Sequence, residues 1–162
     1  YVSGKVVTGD TIDVYVVHLP SKLGGREAQK MSVIITNQLK EHIDSVTVKR
    51  TRPNVIVMGD FNAEPKSKQL KILTRNSNLV DVTRDVKPGT YKYQGAWSVI
   101  DHILAHTTSL KHVKSQVLLL PQLIETDTKN GGVKPRRTFL GPSYKGGVSD
   151  HLPLVSRFAF IE

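Results

Sequence analysis

The segment Val55-Ile56-Val57-Met58-Gly59-Asp60-Phe61-Asn62 constrains this chain more than any other. Its apolar run, rich in β-branched residues, reads as a buried strand. Gly59 ends the strand, and Asp60 and Asn62 follow on the loop. A rigid strand fixes whatever the loop after it presents, so such loops concentrate chemistry. A carboxylate and a carboxamide two residues apart can face one hydrated cation, or a phosphate with its water. The same pair also suits an Asp/Asn turn that merely closes a core strand. The rest of the chain bears on that choice.

With 162 residues the chain is one domain by length and can bury a real core. No apolar run approaches the roughly 20 residues of a membrane span. The absence of cysteine excludes a disulfide scaffold and a thiolate zinc site. A formal charge of +9 favours phosphate-rich partners, whether nucleic acid, phosphorylated small molecules or lipids. The lysines and arginines are spread along the chain, however, and serve a solubilising surface equally well.

Residues 1 to 18 read as a β-hairpin turning at Thr8-Gly9-Asp10, its second strand ending at His18 before a Pro/Gly loop. Apolar positions Ala28, Met31, Ile34, Ile35, Leu39, Ile43 and Val46 recur at steps of three and four. They predict an amphipathic helix from about Arg26 to Val46, with the methionine in the core. Lys49, Arg50 and Arg52 read as a solvated basic link. A short helix is expected from Lys66 to Arg75, and a brief extended piece at Leu79-Val80-Asp81-Val82. Tyr91, Tyr93 and Trp97 suit either stacking at a pocket or ordinary edge packing. Val99 to Leu104 is an apolar strand interrupted by Asp101 and His102, and a carboxylate there is costly unless paired or ligating. A strand at Val113 to Leu120 precedes a polar loop from Glu125 to Lys145, of a length usual for functional or mobile segments. Ser149-Asp150-His151-Leu152-Pro153 then leads into a last strand, Leu154 to Ile161.

Polar groups thus mark four apolar strands: His18, Asp60 with Asn62, Asp101, and Asp150 with His151. One site along one edge of a β-layer accommodates them all, and the chemistry they suit is phosphoester hydrolysis. In that chemistry a carboxylate orients water, an imidazole handles a proton, and further carboxylates hold a divalent cation.

With His18-Leu19-Pro20-Ser21, Gly59-Asp60-Phe61-Asn62, Ile100-Asp101-His102-Ile103 and Ser149-Asp150-His151-Leu152-Pro153 in this order, the chain resembles the endonuclease/exonuclease/phosphatase superfamily, the deoxyribonuclease I-like fold. The resemblance implies an α/β (α+β) fold: half or more of a four-layered sandwich, with mixed, mostly antiparallel sheets flanked by helices. It implies a metal-dependent phosphoesterase acting on a phosphodiester or phosphomonoester in nucleic acid, a nucleotide, an inositol phosphate or a lipid headgroup.

Residue by residue, the resemblance implies that Asp60 orients or deprotonates the attacking water and Asn62 holds the phosphate beside it. His151 contacts the scissile phosphate, with Asp101 fixing its tautomer and raising its basicity. Asp150, with Asp60, binds Mg2+ or Mn2+, and His18 touches phosphate or assists the leaving group. His102 is expected to be structural, because its side chain points to the other face of its strand.

Family members carry an earlier half with an Asn and a Glu that is the chief metal ligand. Residues 1–162 are expected to form the C-terminal part of the domain without that half. Alone, such a part is expected to hold magnesium weakly, to hydrolyse little or nothing, and to dimerise through uncovered sheet edges. A non-catalytic phosphate- or nucleic-acid-binding module is the alternative from another class.

Overall fold

The computed structural model describes residues 1–161. The chain opens with a hairpin of β1 (Val2–Lys5) and β2 (Thr11–His18), followed by helix α1 (Gly25–Val48) and β3 (Asn54–Asp60). Helix α2 (Lys68–Thr74), β4 (Val80–Asp81) and the hairpin of β5 (Tyr91–Tyr93) and β6 (Ala96–Ser98) come next. The remaining strands are β7 (Asp101–Thr107), β8 (Leu110–Val117), β9 (Ile124–Thr126), β10 (Val133–Pro135), β11 (Phe139–Leu140), β12 (Ser143–Tyr144) and β13 (Leu154–Phe160), with a short 3-10 turn at Pro121–Leu123. This is the expected mixed α/β architecture with mostly antiparallel pairing.

The main sheet has the order β1-β2-β3-β7-β4. Its β2 and β3 run parallel, joined through α1, and β7 runs antiparallel to β3. Parallel β2 and β3 bring their C-terminal ends together, and antiparallel β7 brings its start to the same edge. His18 therefore pairs with Asp60, and Asp60 with Asp101.

Side chains alternate across the sheet. Val55, Val57 and Leu104 pack with Ile43 of α1 and Leu70 and Leu73 of α2 in the principal core. A smaller core gathers Val86, Val117 and Leu152, with Trp97 and Leu154 against them. It lies beside the ribbon of β8 and β13, which pair along their whole lengths.

The structure corrects four local expectations. Helix α1 buries Ser32, Thr36 and Ile43, while Met31 and Ile34 are each 50% exposed. Small residues are needed there because α1 meets α2: Ser32 Oγ accepts from Gln69 Nε2 at 3.1 Å, and Thr36 Oγ1 donates to the Ser32 carbonyl at 2.7 Å. Arg50 is not simply solvated. Its Nε and Nη2 each donate at 2.8 Å to the buried carboxylate of Asp13. The strand placed at 113 to 120 runs instead from Leu110 to Val117. The stretch from Glu125 to Lys145 folds into two small hairpins, β9–β10 and β11–β12, rather than one loop. Among the described residues no helix is long and apolar enough to cross a membrane.

Candidate active site

Gly59 shapes the end of β3. Its φ is +134°, and a Cβ there would lie 2.0 Å from the Val17 carbonyl oxygen of β2. Only glycine lets the strands run this close, and the next residue, Asp60, emerges at the sheet edge. Asn62 then adopts φ 48°, a left-handed turn that asparagine tolerates. Its backbone N–H donates to Asp60 Oδ1 at 2.7 Å, and its Nδ2 donates to the Leu19 carbonyl at 2.9 Å and to Asp60 Oδ2 at 3.1 Å. The Asn62 carboxamide is thus spent partly on holding Asp60 and on tying the β3 loop to the β2 loop. His18 Nε2 lies 3.5 Å from Asp60 Oδ2 with its side chain 77% exposed, at the rim.

Asp101 begins β7 opposite Asp60, and its backbone N–H donates to Thr90 Oγ1 at 3.4 Å. Thr90 is fully buried and also ties down the last motif: its carbonyl accepts from the Leu152 N–H at 2.7 Å. Leu152 is an anchor in the smaller core. Held this way, His151 Nδ1 hydrogen-bonds Asp101 Oδ2 at 2.8 Å. One ligand atom from each of Asp60, Asp101 and His151 lies within 4.8 Å of the others.

Burial pushes the Asp60 carboxyl above its ordinary value. The Asn62 N–H opposes the shift, and the charge of Asp101 reinforces it. Burial works to lower His151, but the hydrogen bond and charge of Asp101, with Asp60 and Asp150 adding to them, outweigh it and raise its pKa. The two shifts suit proton handling: one carboxylate is made more basic, one imidazole is kept cationic longer.

Asp150 stands apart from this group. Its Oδ2 lies 3.9 Å from Nη1 of Arg137, and it is not among the three residues whose ligand atoms converge. His102 points to the helix side of β7. There its Nδ1 lies 2.8 Å from Asp81 Oδ2, off the line of a good hydrogen bond, and its Nε2 is 2.8 Å from the Ala63 carbonyl. Two further neighbours line this group: Tyr91, from the aromatic segment expected either at a pocket or in edge packing, and Arg137, which the sequence did not single out. Tyr91 bridges to His151 in a short antiparallel contact, with ring centroids 5.0 Å apart. Arg137 stacks on Tyr91 with its guanidinium 5.4 Å from the ring. The only signal for Arg137 was a doublet of arginines.

Asp60, Asp101 and His151 form a donor set compatible with a divalent cation, two carboxylates and an imidazole. Burial, with the charge of Asp101 adding to it, raises Asp60, and a cation held there would offset both.

No curated protein matches this sequence. Among solved structures, the chain resembles the mannosyl-6-phosphatase of Bacteroides thetaiotaomicron with a TM-score of 0.65 and 18% identity, covering 94% of this chain and 53% of that one. It resembles the human Nocturnin catalytic domain with bound sulfate at TM-score 0.61 and 22% identity, covering 96% and 49%. A Staphylococcus aureus beta toxin variant with bound magnesium ions gives TM-score 0.62 and 18% identity, covering 91% and 53%. The chain therefore spans about half the length of the structures it resembles. Likeness at such identities speaks for the fold, and a match to the family model across residues 1–159 decides the assignment: the chain belongs to the endonuclease/exonuclease/phosphatase family.

Proposed function

We propose that this chain carries the phosphate-side residues of a divalent-metal-dependent phosphoesterase. The observation behind this reading is the convergence of Asp60, Asp101 and His151 within 4.8 Å, from three separate chain segments. In the proposed reaction Asp60 orients a water and takes its proton as the oxygen attacks phosphorus. The P–O bond to the alcohol breaks, the departing oxygen takes a proton from solvent water, and Asp60 returns the proton it took to the solvent. His151 donates to a non-bridging phosphate oxygen, with Asp101 fixing the imidazole through Nδ1. Asn62 positions Asp60 and lines the phosphate pocket, and His18 stands at the rim toward the leaving group.

A magnesium or manganese ion bound by Asp60 and Asp101, with Asp150 at the periphery, would neutralise charge on the phosphate. Phosphate-bearing substrates are the class; the neighbours' names include a sugar phosphatase, and one structure holds sulfate. The test is hydrolysis of p-nitrophenyl phosphate and its bis ester with magnesium, by this chain and by Asp60→Ala and His151→Ala. Each substitution should remove whatever turnover the chain supports, by about 100-fold or more. Turnover that survives both substitutions would sink the reading.

A further inference from the structure

His102 is fully buried on the helix side of β7, and hydrolysis as described leaves it unused. A core histidine with satisfied nitrogens needs no function. This one, however, is joined to the loop that carries Asp60 and Asn62. Its Nε2 lies 2.8 Å from the carbonyl of Ala63, the residue after Asn62. A carbonyl only accepts, so Nε2 carries the hydrogen. Phe61, on the same loop, meets the imidazole in a T-shaped contact with ring centroids 5.5 Å apart.

The loop needs support from this side. Asn62 has a φ of 48°, a left-handed conformation that persists only where its surroundings hold it. Toward the site the turn is held by the bonds of Asn62 to Asp60 and to the Leu19 carbonyl. Toward the helices Phe61 and Ala63 are both fully buried, and the Ala63 carbonyl accepts from His102. A buried carbonyl left without a donor is costly, so the ring holds the loop in register with β7.

His102 is itself held. Asp81 Oδ2 stands 2.8 Å from its Nδ1. Asp81 Oδ1 accepts from the Thr83 N–H at 3.0 Å and from Thr83 Oγ1 at 2.9 Å. Thr83 Oγ1 in turn accepts from the Ile103 N–H at 2.9 Å, and the Val82 N–H donates to the Ile103 carbonyl at 3.0 Å. The turn that presents Asp81 is thereby fastened to β7 at the residue beside His102. Burial pushes the Asp81 carboxyl up, but the His102 ring and the Thr83 donors outweigh it and hold the carboxyl below its ordinary value.

We propose that His102 is a positioning residue for phosphoester hydrolysis: through the Ala63 carbonyl it holds the turn on which Asp60 and Asn62 meet water and phosphate, with Asp81 setting the ring. Consecutive residues of β7 then order the site from opposite faces of one strand, Asp101 through His151 and His102 through the Asp60 loop. What matters is the hydrogen on Nε2 rather than the bulk of the ring.

The inference rests on the phosphoesterase reading, and NMR of the unsubstituted chain and two variants separates the two. Nitrogen-15 spectra of the unsubstituted chain should show the hydrogen on Nε2 of His102, and a bare Nε2 overturns the proposal. In His102→Gln the carboxamide reaches as far as Nε2 with an N–H, whereas in His102→Asn it reaches only as far as Nδ1. Hydrogen exchange of the Asn62 amide is measured relative to the slowest amides of β3 and β7, which removes any global change in stability. Relative exchange should speed up about tenfold in His102→Asn, the loss of one hydrogen bond, and stay within about twofold in His102→Gln. Affinity for inorganic phosphate with magnesium, followed at the Asn62 amide, should fall about tenfold in His102→Asn and return in His102→Gln. Equal behaviour of the two variants, in exchange or in affinity, overturns the positioning role and leaves His102 as core packing. If phosphate shifts neither Asn62 nor His151 in the unsubstituted chain, the phosphoesterase reading fails and the positioning role with it.

Discussion

Asp101 Oδ2 and His151 Nδ1 meet at 2.8 Å although they stand 50 residues apart in the chain. The contact joins the first residue of β7 to the segment ahead of β13 and engages Nδ1, so that Nε2 is the nitrogen the proposed reaction turns to phosphate. Without the carboxylate, burial is the main influence left on the imidazole, and burial lowers it. Asp101→Asn should therefore drop the His151 pKa from above its ordinary 6.5 to nearer or below it, read by NMR titration of the ring protons. Turnover should fall about 100-fold, and its alkaline limb should move to lower pH. An unmoved pKa would contradict the pairing.

Asp60 bears the opposite kind of strain. A carboxyl whose folded pKa is raised stabilises the fold most when protonated, and that contribution is lost as pH rises through the folded value. At neutral pH an ionised Asp60 is thus a cost. Asp60→Asn should abolish activity and yet raise Tm by roughly 2 °C. A lower Tm would show that the carboxylate stabilises the fold.

Gly59 admits no substitute by the same geometry that places Asp60. Gly59→Ala puts a methyl carbon into the Val17 carbonyl and demands a positive φ from alanine. A loss on the order of 3 kcal/mol in urea unfolding is expected. A change within about 0.5 kcal/mol would mean that β2 and β3 can separate without penalty.

Asp13 supplies the acid sensitivity. The Arg50 guanidinium, helped by Tyr1 and Ser3, holds its carboxyl at about 2 against an ordinary 3.8. Its folded pKa is depressed, so its stabilisation is present above pH 3.8 and fades as pH falls toward 2. In Asp13→Asn the Tm should be lower near neutrality and should vary less between those two pH values. An unchanged acid slope would exclude Asp13 as the titrating group.

What could be read from the sequence is what depends on neighbours along the chain. The strands ending at His18 and Asp60 and the strand holding Asp101 announced themselves by apolar runs broken at polar residues. The opposite facing of Asp101 and His102 followed from alternation. What could not be read depends on elements meeting in space. The buried face of α1 passes through Ser32 and Thr36 rather than Met31 and Ile34, because α2 approaches closely there. Arg50 looked like a surface cation until β2 presented Asp13 to it. Arg137 reaches Tyr91 and Asp150 only because the chain folds back at Gly146 and Gly147, a reversal with no periodic signature.

The central claim is that Asp60, Asp101 and His151 make one phosphate site, and phosphate binding mapped by NMR tests it most directly. Inorganic phosphate titrated into the chain with magnesium should move the His151 ring protons and the Asn62 amide together, saturating along one curve. The His151→Ala variant should lose the Asn62 shift as well. Phosphate that leaves these signals still, or that shifts only the lysine-bearing surface of the β8–β13 ribbon, would contradict the account.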